Sequence, residues 1–226
     1  FTYKLTFLLT KNEKISFLTA TIYSLFPQVI DQSHYFHLDI PLTALVLMSV
    51  YFLFISDNFK KLWPTIIFFI CLSFIQLTKW TGFIFLIVPV LVALHGAFIN
   101  HGKTNDRKYS LQIIKNLLIA SVIFLILTIP WYYVNWKELL VQVKVFSVGE
   151  SDDPQSLWES LIYYPVNAIS HQIMFLPFLL VFVSLINQLK NNKKNGFIIL
   201  LSILVPWLFF VFISNKTDMG NNNRII

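Results

Sequence analysis

Long apolar runs separated by short polar connections make up most of this 226-residue chain. A membrane-spanning helix needs roughly 17–25 mostly apolar residues. The runs lack the alternation of apolar and polar positions that is typical of barrel strands, so they predict helices. After an incomplete span at residues 1–10, the predicted spans are residues 15–30, 40–56, 62–78, 81–99, 111–131, 164–186 and 196–214. The pattern predicts an all-α fold, a polytopic transmembrane helical bundle of about seven full spans plus one partial span.

Several of these spans contain a proline or end near one. A proline ring removes a backbone hydrogen bond and clashes with the preceding turn, so it kinks or ends a helix. The residues expected to act in this way are Pro27, Pro89, Pro130, Pro177 and Pro206.

Composition excludes a soluble globular domain. Hydrophobic residues make up 56% of the chain and charged residues only 12%, whereas soluble domains average roughly 45–50% and about 25%. The single cysteine, Cys71, lies inside an apolar run, which excludes an internal disulfide framework. The chain is therefore predicted to be an integral membrane protein throughout residues 1–226.

Charge sits unevenly on the connections between the spans. Alternate connections carry most of the basic residues, namely Lys11, Lys14, Lys60, Lys61, Lys103, Arg107, Lys108, Lys190, Lys193 and Lys194. Short loops rich in Lys and Arg stay cytoplasmic, so the other connections are expected to face outward. The net charge of +6 then reflects membrane topology and anionic headgroups rather than nucleic acid.

A polar cluster, Asp31 to Pro41, lies between two apolar runs on the predicted outer side. Asp39 can cap the following helix, whose first turn Pro41 suits, or it can orient a polar substrate. His34 and His37 are spaced to share a helix face if the segment is helical. A metal site with Asp31 and Asp39 is conceivable, but the spacing favours packing or hydrogen bonding to a substrate.

Three further outward features carry candidate chemistry. Lys79 stands on a very short turn, where it either snorkels beside Trp80 or contacts a phosphate at headgroup depth. Residues 132–163 are predicted to form an outward-facing loop that contains an interfacial amphipathic patch and several acids. The polar tail after residue 214 carries Arg224.

In order and placement, these positions resemble the C-type glycosyltransferases, most closely the group of protein mannosyltransferases and aminoarabinose transferases. The resemblance rests on Asp39-Ile-Pro-Leu, Leu77-Thr-Lys79, Pro130-Trp-Tyr132 with Asn135, Tyr163-Tyr164, and Asn215-Lys216 followed by Arg224. One departure is that Ile225 follows Arg224 where the family pattern has tyrosine.

The resemblance implies an inverting transfer of a sugar from a polyprenyl-phosphate donor to a glycan, lipid or protein acceptor outside the membrane. The lipid-linked donor is then the one required co-substrate, and membrane lipids are the other partners. Lys79 and Arg224 would contact the donor phosphate, with Asp39, His37 and His34 lining the substrate pocket. The expected location is a bacterial cytoplasmic membrane with the active face outward.

The same resemblance implies that the main catalytic acid lies in an outer loop before residue 1. The chain is therefore expected to be a fragment that is inactive alone. A secondary transporter and a non-catalytic scaffold subunit remain alternatives. The gathering of polar groups at the surface, rather than at mid-membrane depth, favours the transferase over a transporter.

Overall fold

The computed structural model describes residues 1–35, 37–104, 107–146, 157–172 and 175–221, and every element in these ranges is helical. The α-helices are α1 Thr2–Thr10, α2 Glu13–Ser24, α3 Pro27–His34, α4 Asp39–Ile55, α5 Leu62–Thr78, α6 Ile87–Thr104, α7 Arg107–Phe146, α8 Leu157–Asn167, α9 Phe175–Asn191 and α10 Lys193–Asn221. A 3-10 segment, Trp80–Leu86, precedes α6, and a π-helical turn, Ala168–Gln172, follows α8. The predicted all-α class is confirmed.

Three of the described helices are long and apolar enough to cross a membrane. The stretches are Trp80–Ala97, Lys108–Val141 and Asn195–Phe212, and two shorter apolar helices are Asp39–Ile55 and Leu62–Thr78. Each shorter helix has 17 residues and is about 25 Å long, close to the hydrocarbon thickness of a bilayer. The count of about seven full spans stays a prediction.

The predicted span at residues 15–30 is wrong as a single helix. The chain forms α2, which ends at Ser24, and a separate α3, which begins at Pro27. Phe26 is extended (φ −61°, ψ 134°), because a residue before proline is pushed out of the helical region. Pro27 therefore ends one helix and starts another, as expected.

Other prolines interrupt the helices less than the sequence suggests. Pro130 lies inside α7 and Pro206 inside α10. Both helices continue past them, so neither proline ends a helix, and a kink at these two positions stays a prediction.

The described residues of segment 132–163 are helical. Residues 132–146 continue α7 without a break, and residues 157–163 already belong to α8. The intervening residues 147–156 lie outside the described ranges. They include Glu150, Asp152 and Asp153, the acidic residues of the predicted outward-facing loop. The outward placement of this segment stays a prediction.

The chain divides into two compact units, Phe1–Trp131 and Tyr132–Ile226. In the first unit, α4 and α5 form an antiparallel pair, and the 3-10 segment packs against both. The buried core of this unit consists of Leu42, Leu53, Phe59, Phe68, Ile75, Leu86, Ala93, Ala97 and Ile113. In the second unit, α10 packs against α8 and α9.

Serine side chains inside the apolar helices form hydrogen bonds within their own helix. Ser49 donates to the carbonyl of Leu45 at 2.8 Å, and Ser73 donates to that of Phe69 at 2.9 Å. A hydroxyl that bonds to its own preceding turn can be buried without an unpaired donor. Both serines are fully buried in this way.

The turn between α4 and α5, Ser56–Lys61, lies at the other end of the hairpin from Asp39. Asp57, Asn58 and Phe59 have left-handed backbone angles, with φ of 52°, 56° and 67°. The Asn116 amide of α7 donates to the carbonyls of Phe59 and Lys60, at 2.9 and 2.7 Å. The turn is thereby fixed to a third helix.

Candidate functional site

An ion pair joins two of the predicted site residues. The Lys79 Nζ atom lies 3.1 Å from Asp39 Oδ1, although 40 positions separate the two residues in the chain. The side chains are 44% and 49% exposed, respectively. The pair therefore stands at the open end of the α4–α5 hairpin, where an apolar helix pair meets polar surroundings.

Asp39 is held by the first turn of α4. It is the first residue of that helix, and the Thr43 hydroxyl donates to its backbone carbonyl at 2.7 Å. A carboxylate at a helix N-terminus is favoured by the helix dipole. The helix start therefore interacts favourably with the negative charge of Asp39, in addition to Lys79.

Lys79 ends α5 in an extended conformation, with φ −154° and ψ 113°. Its N–H donates to the Ile75 carbonyl at 2.9 Å, and its own carbonyl accepts from the Gly82 N–H at 2.9 Å. The backbone of Lys79 is thus bonded to α5 on one side and to the 3-10 segment on the other. The side chain alone is free to move.

The ion pair is easily opened. Pairs between exposed side chains contribute roughly 0.2–1 kcal/mol, because water competes for both partners. A lysine ammonium has three donors and no acceptor, so Lys79 can exchange its carboxylate partner for another anion. This end of the hairpin can therefore present a positioned cation together with an anion that holds it in place.

The prediction that Asp39 caps α4 is wrong. Leu38 is the residue before the helix, and no side chain caps it. The Asp39 carboxylate turns instead to Lys79 on the neighbouring helix end. The Asp39 carboxylate therefore links the start of α4 to the end of α5 rather than capping its own helix.

The two histidines do not share a helix face. His34 is the last residue of α3, and His37 lies beyond the end of that helix. The His37 ring contacts the Tyr35 ring edge to face, with centroids 5.8 Å apart. Both histidines are exposed, so hydrogen bonding to a substrate stays a prediction for each.

A metal site at this cluster receives no support. Within the ranges that the structure describes, no group of three or more His, Cys, Asp or Glu side chains is placed to hold a metal ion. Arg224, the second predicted phosphate contact, lies outside the described residues.

Gly82 is a further residue at this end of the hairpin, and the sequence patterns did not identify it. A Cβ atom at this position would lie 2.6 Å from Ile75 Cγ2 and 2.7 Å from Leu42 Cδ1, both closer than carbon atoms tolerate. Gly82 is therefore the point at which the 3-10 segment meets α4 and α5. A glycine three residues after a candidate lysine, within an apolar stretch, was the available signal.

Comparison with known proteins gives one family. A family model described as dolichyl-phosphate-mannose-protein mannosyltransferase matches residues 1–143. No curated protein and no solved structure matches the chain. The matched range contains the whole first unit, with Asp39, Lys79 and Gly82.

Proposed function

The chain belongs to the dolichyl-phosphate-mannose-protein mannosyltransferase family, and we propose that it transfers a sugar from a polyprenyl-phosphate donor to an acceptor at the outer face of the membrane. Members of the family are integral membrane glycosyltransferases that use a lipid-linked sugar. The family argues against the transporter and scaffold alternatives.

The observation that carries the proposal is the half-exposed Lys79–Asp39 pair at the end of two apolar helices. The phosphate of a polyprenyl-linked sugar sits at headgroup depth, because its lipid chain is in the hydrocarbon layer. A lysine at that depth can donate charge-assisted hydrogen bonds to phosphate oxygens. Lys79 is the proposed phosphate contact, and Asp39 holds it in position until the donor arrives.

The proposed reaction is a one-step displacement with inversion. The acceptor hydroxyl oxygen forms a bond to the anomeric carbon while the bond from that carbon to the phosphate oxygen breaks. The electron pair leaves with the polyprenyl phosphate, and the hydroxyl proton passes to a general base. The phosphate gains negative charge as it leaves, so Lys79 stabilises the transition state more than the bound donor.

Asp39 acquires a second role in this scheme. When Lys79 turns to the phosphate, the Asp39 carboxylate loses its cation and can accept a hydrogen bond from a hydroxyl of the sugar or the acceptor. His34 and His37, on the exposed segment that precedes α4, are proposed to contribute further hydrogen bonds in the same region.

The test is transfer of radiolabelled sugar from a polyprenyl-phosphate hexose by the full-length protein in vesicles. We expect Lys79→Ala to lower the transfer rate about 100-fold, the usual scale for removing one donor from a developing oxyanion. Lys61→Ala is the matched control, because Lys61 is an exposed lysine at the opposite end of the same hairpin. It is expected to retain full activity.

A charge-swapped variant separates catalysis from stability. If the pair only joins two helix ends, Asp39→Lys combined with Lys79→Asp restores the ion pair and with it the activity. If Lys79 contacts the phosphate, the swapped protein folds but transfers sugar poorly. Full activity of Lys79→Ala, or recovery by the swap, contradicts the proposed role of Lys79.

A further inference from the structure

The position of Lys79 depends on a close approach between three helical segments. The chain leaves α5 at Lys79 and doubles back, so that Gly82 meets Ile75, which it follows by seven positions. Two backbone hydrogen bonds close this reversal, from the Lys79 N–H to the Ile75 carbonyl and from the Gly82 N–H to the Lys79 carbonyl. The backbone of Lys79 therefore sits inside a closed loop whose ends are Ile75 and Gly82.

The same glycine sets the register of the ion pair. Because the 3-10 segment runs antiparallel to α5, it runs parallel to α4. Gly82 lies against Leu42, three positions after Asp39, and Gly82 is itself three positions after Lys79. Along both segments, the contact between Asp39 and Lys79 is thus followed three residues later by the contact between Leu42 and Gly82.

Little room exists to absorb a side chain at position 82. Ile75 is 0% exposed and Leu42 is 6% exposed. The Ile75 Cγ2 atom is bonded directly to Cβ, so it moves only if the helix backbone or the χ1 rotamer changes. The Leu42 Cδ1 atom is the end of a longer side chain and can give way more easily. Ile75 therefore sets the limit.

We infer that Gly82 is a positioning residue for the proposed transfer, which places the Lys79 ammonium at the phosphate by allowing the 3-10 segment to rest directly on Leu42 and Ile75. This inference rests on the proposed function of Lys79. It goes beyond that function because Gly82 has no side chain to touch the donor and acts only through Lys79. A methyl group at this position displaces the loop and moves the ammonium away from its site.

The decisive variant is Gly82→Ala in the full-length protein, assayed with a polyprenyl-phosphate hexose at varied concentration. We expect kcat/KM for the donor to fall about 10-fold, with Lys79→Ala in the same background causing little further loss. Non-additivity of this kind is the signature of two residues that act through one interaction. A residue needed only for stability lowers the amount of folded protein and leaves the effect of Lys79→Ala unchanged.

Relief of the crowding provides the second measurement. Ile75→Leu removes the branched methyl group while conserving side-chain volume, so Gly82→Ala combined with Ile75→Leu is expected to recover most of kcat/KM. The double variant also keeps the inference testable if Gly82→Ala alone does not fold. Gly96→Ala is the control, since a Cβ atom there would also be crowded, 2.8 Å from Asn58 Oδ1, but at the opposite end of the α4–α5 hairpin.

The outcomes distinguish this inference from the proposed function. If Lys79→Ala is fully active, the proposed phosphate contact of Lys79 fails and the role of Gly82 fails with it. If Lys79→Ala is impaired while Gly82→Ala retains wild-type kcat/KM, only the role of Gly82 is overturned. Equal losses from Gly82→Ala and Gly96→Ala, or no recovery with Ile75→Leu, also overturn it.

Discussion

Polar side chains in this protein form two kinds of hydrogen bond, one within their own helix and one to segments that are distant in the chain. The buried serines and threonines of α4 and α5 bond to the preceding turn of their own helix. Asn116 and Lys79 reach instead to segments that lie far away in the chain. Only the second kind of contact fixes how helices are arranged, and so the most informative substitutions lie there.

Asn116 offers a direct test at this scale. Its side chain is 1% exposed and donates to two backbone carbonyls of the α4–α5 turn. Asn116→Ala leaves both carbonyls without this donor, which is expected to lower the free energy of unfolding by about 1–3 kcal/mol. The measurement is the midpoint of unfolding of the purified protein in a denaturing-detergent titration.

Asn191 is the control for that measurement. It is exposed, and its amide donates to the Asn187 side chain at 2.7 Å. Surface substitutions usually change stability by less than about 0.5 kcal/mol, so Asn191→Ala is expected to unfold like the wild type. Equal effects of the two substitutions would contradict the importance of the Asn116 contacts.

At the scale of elements, the α4–α5 hairpin owes its shape to its turn. Three successive non-glycine residues in the left-handed region are unusual, since each costs roughly 1–2 kcal/mol relative to the right-handed conformation. Phe59 compensates by burial: it is 1% exposed and packs edge to face against Phe68, with ring centroids 6.0 Å apart. The turn is maintained by packing and by Asn116, not by its own backbone preference.

Glycine substitutions at two positions of the turn should therefore change the free energy of unfolding differently. Asp57 is exposed and has φ 52°, so Asp57→Gly removes strain and is expected to leave stability unchanged or raise it by up to about 1 kcal/mol. Phe59→Gly removes the same strain but loses the buried ring, and a loss of about 3–5 kcal/mol is expected. Detergent-induced unfolding of both variants gives the comparison; a stable Phe59→Gly protein would disprove this explanation of the turn.

At the scale of the whole molecule, the family match covers the whole first unit and the start of the second. The match ends at residue 143, shortly after the first unit ends at Trp131. The described candidate site residues His34, His37, Asp39 and Lys79 lie within this unit. The resemblance that the sequence suggested at Tyr163-Tyr164 and in the tail concerns residues beyond the match, and it stays a prediction.

Orientation in the membrane is the remaining prediction at this scale. Lys79 and Lys61 lie at opposite ends of α5, so a membrane-spanning α5 leaves only one of them outside. In a Cys71→Ser background, Lys79→Cys is expected to react with a membrane-impermeant maleimide on intact cells. Lys61→Cys should react only after permeabilisation. The reverse pattern would place the candidate site on the cytoplasmic side and contradict outward transfer.

The helical class and the membrane character could be predicted from the sequence, because both follow from composition and from apolar runs that are local along the chain. The sequence also selected Asp39 and Lys79, since charged residues beside apolar spans are few. It could not predict that these two side chains bind each other, that Asp39 leaves α4 uncapped, or that Gly82 and Asn116 matter. Those features depend on the register between helices that are distant in sequence, and that register is set by side-chain packing. They are visible only in the packed structure, because the contacts of Gly82 with Leu42 and of Lys79 with Asp39 each join residues 40 positions apart.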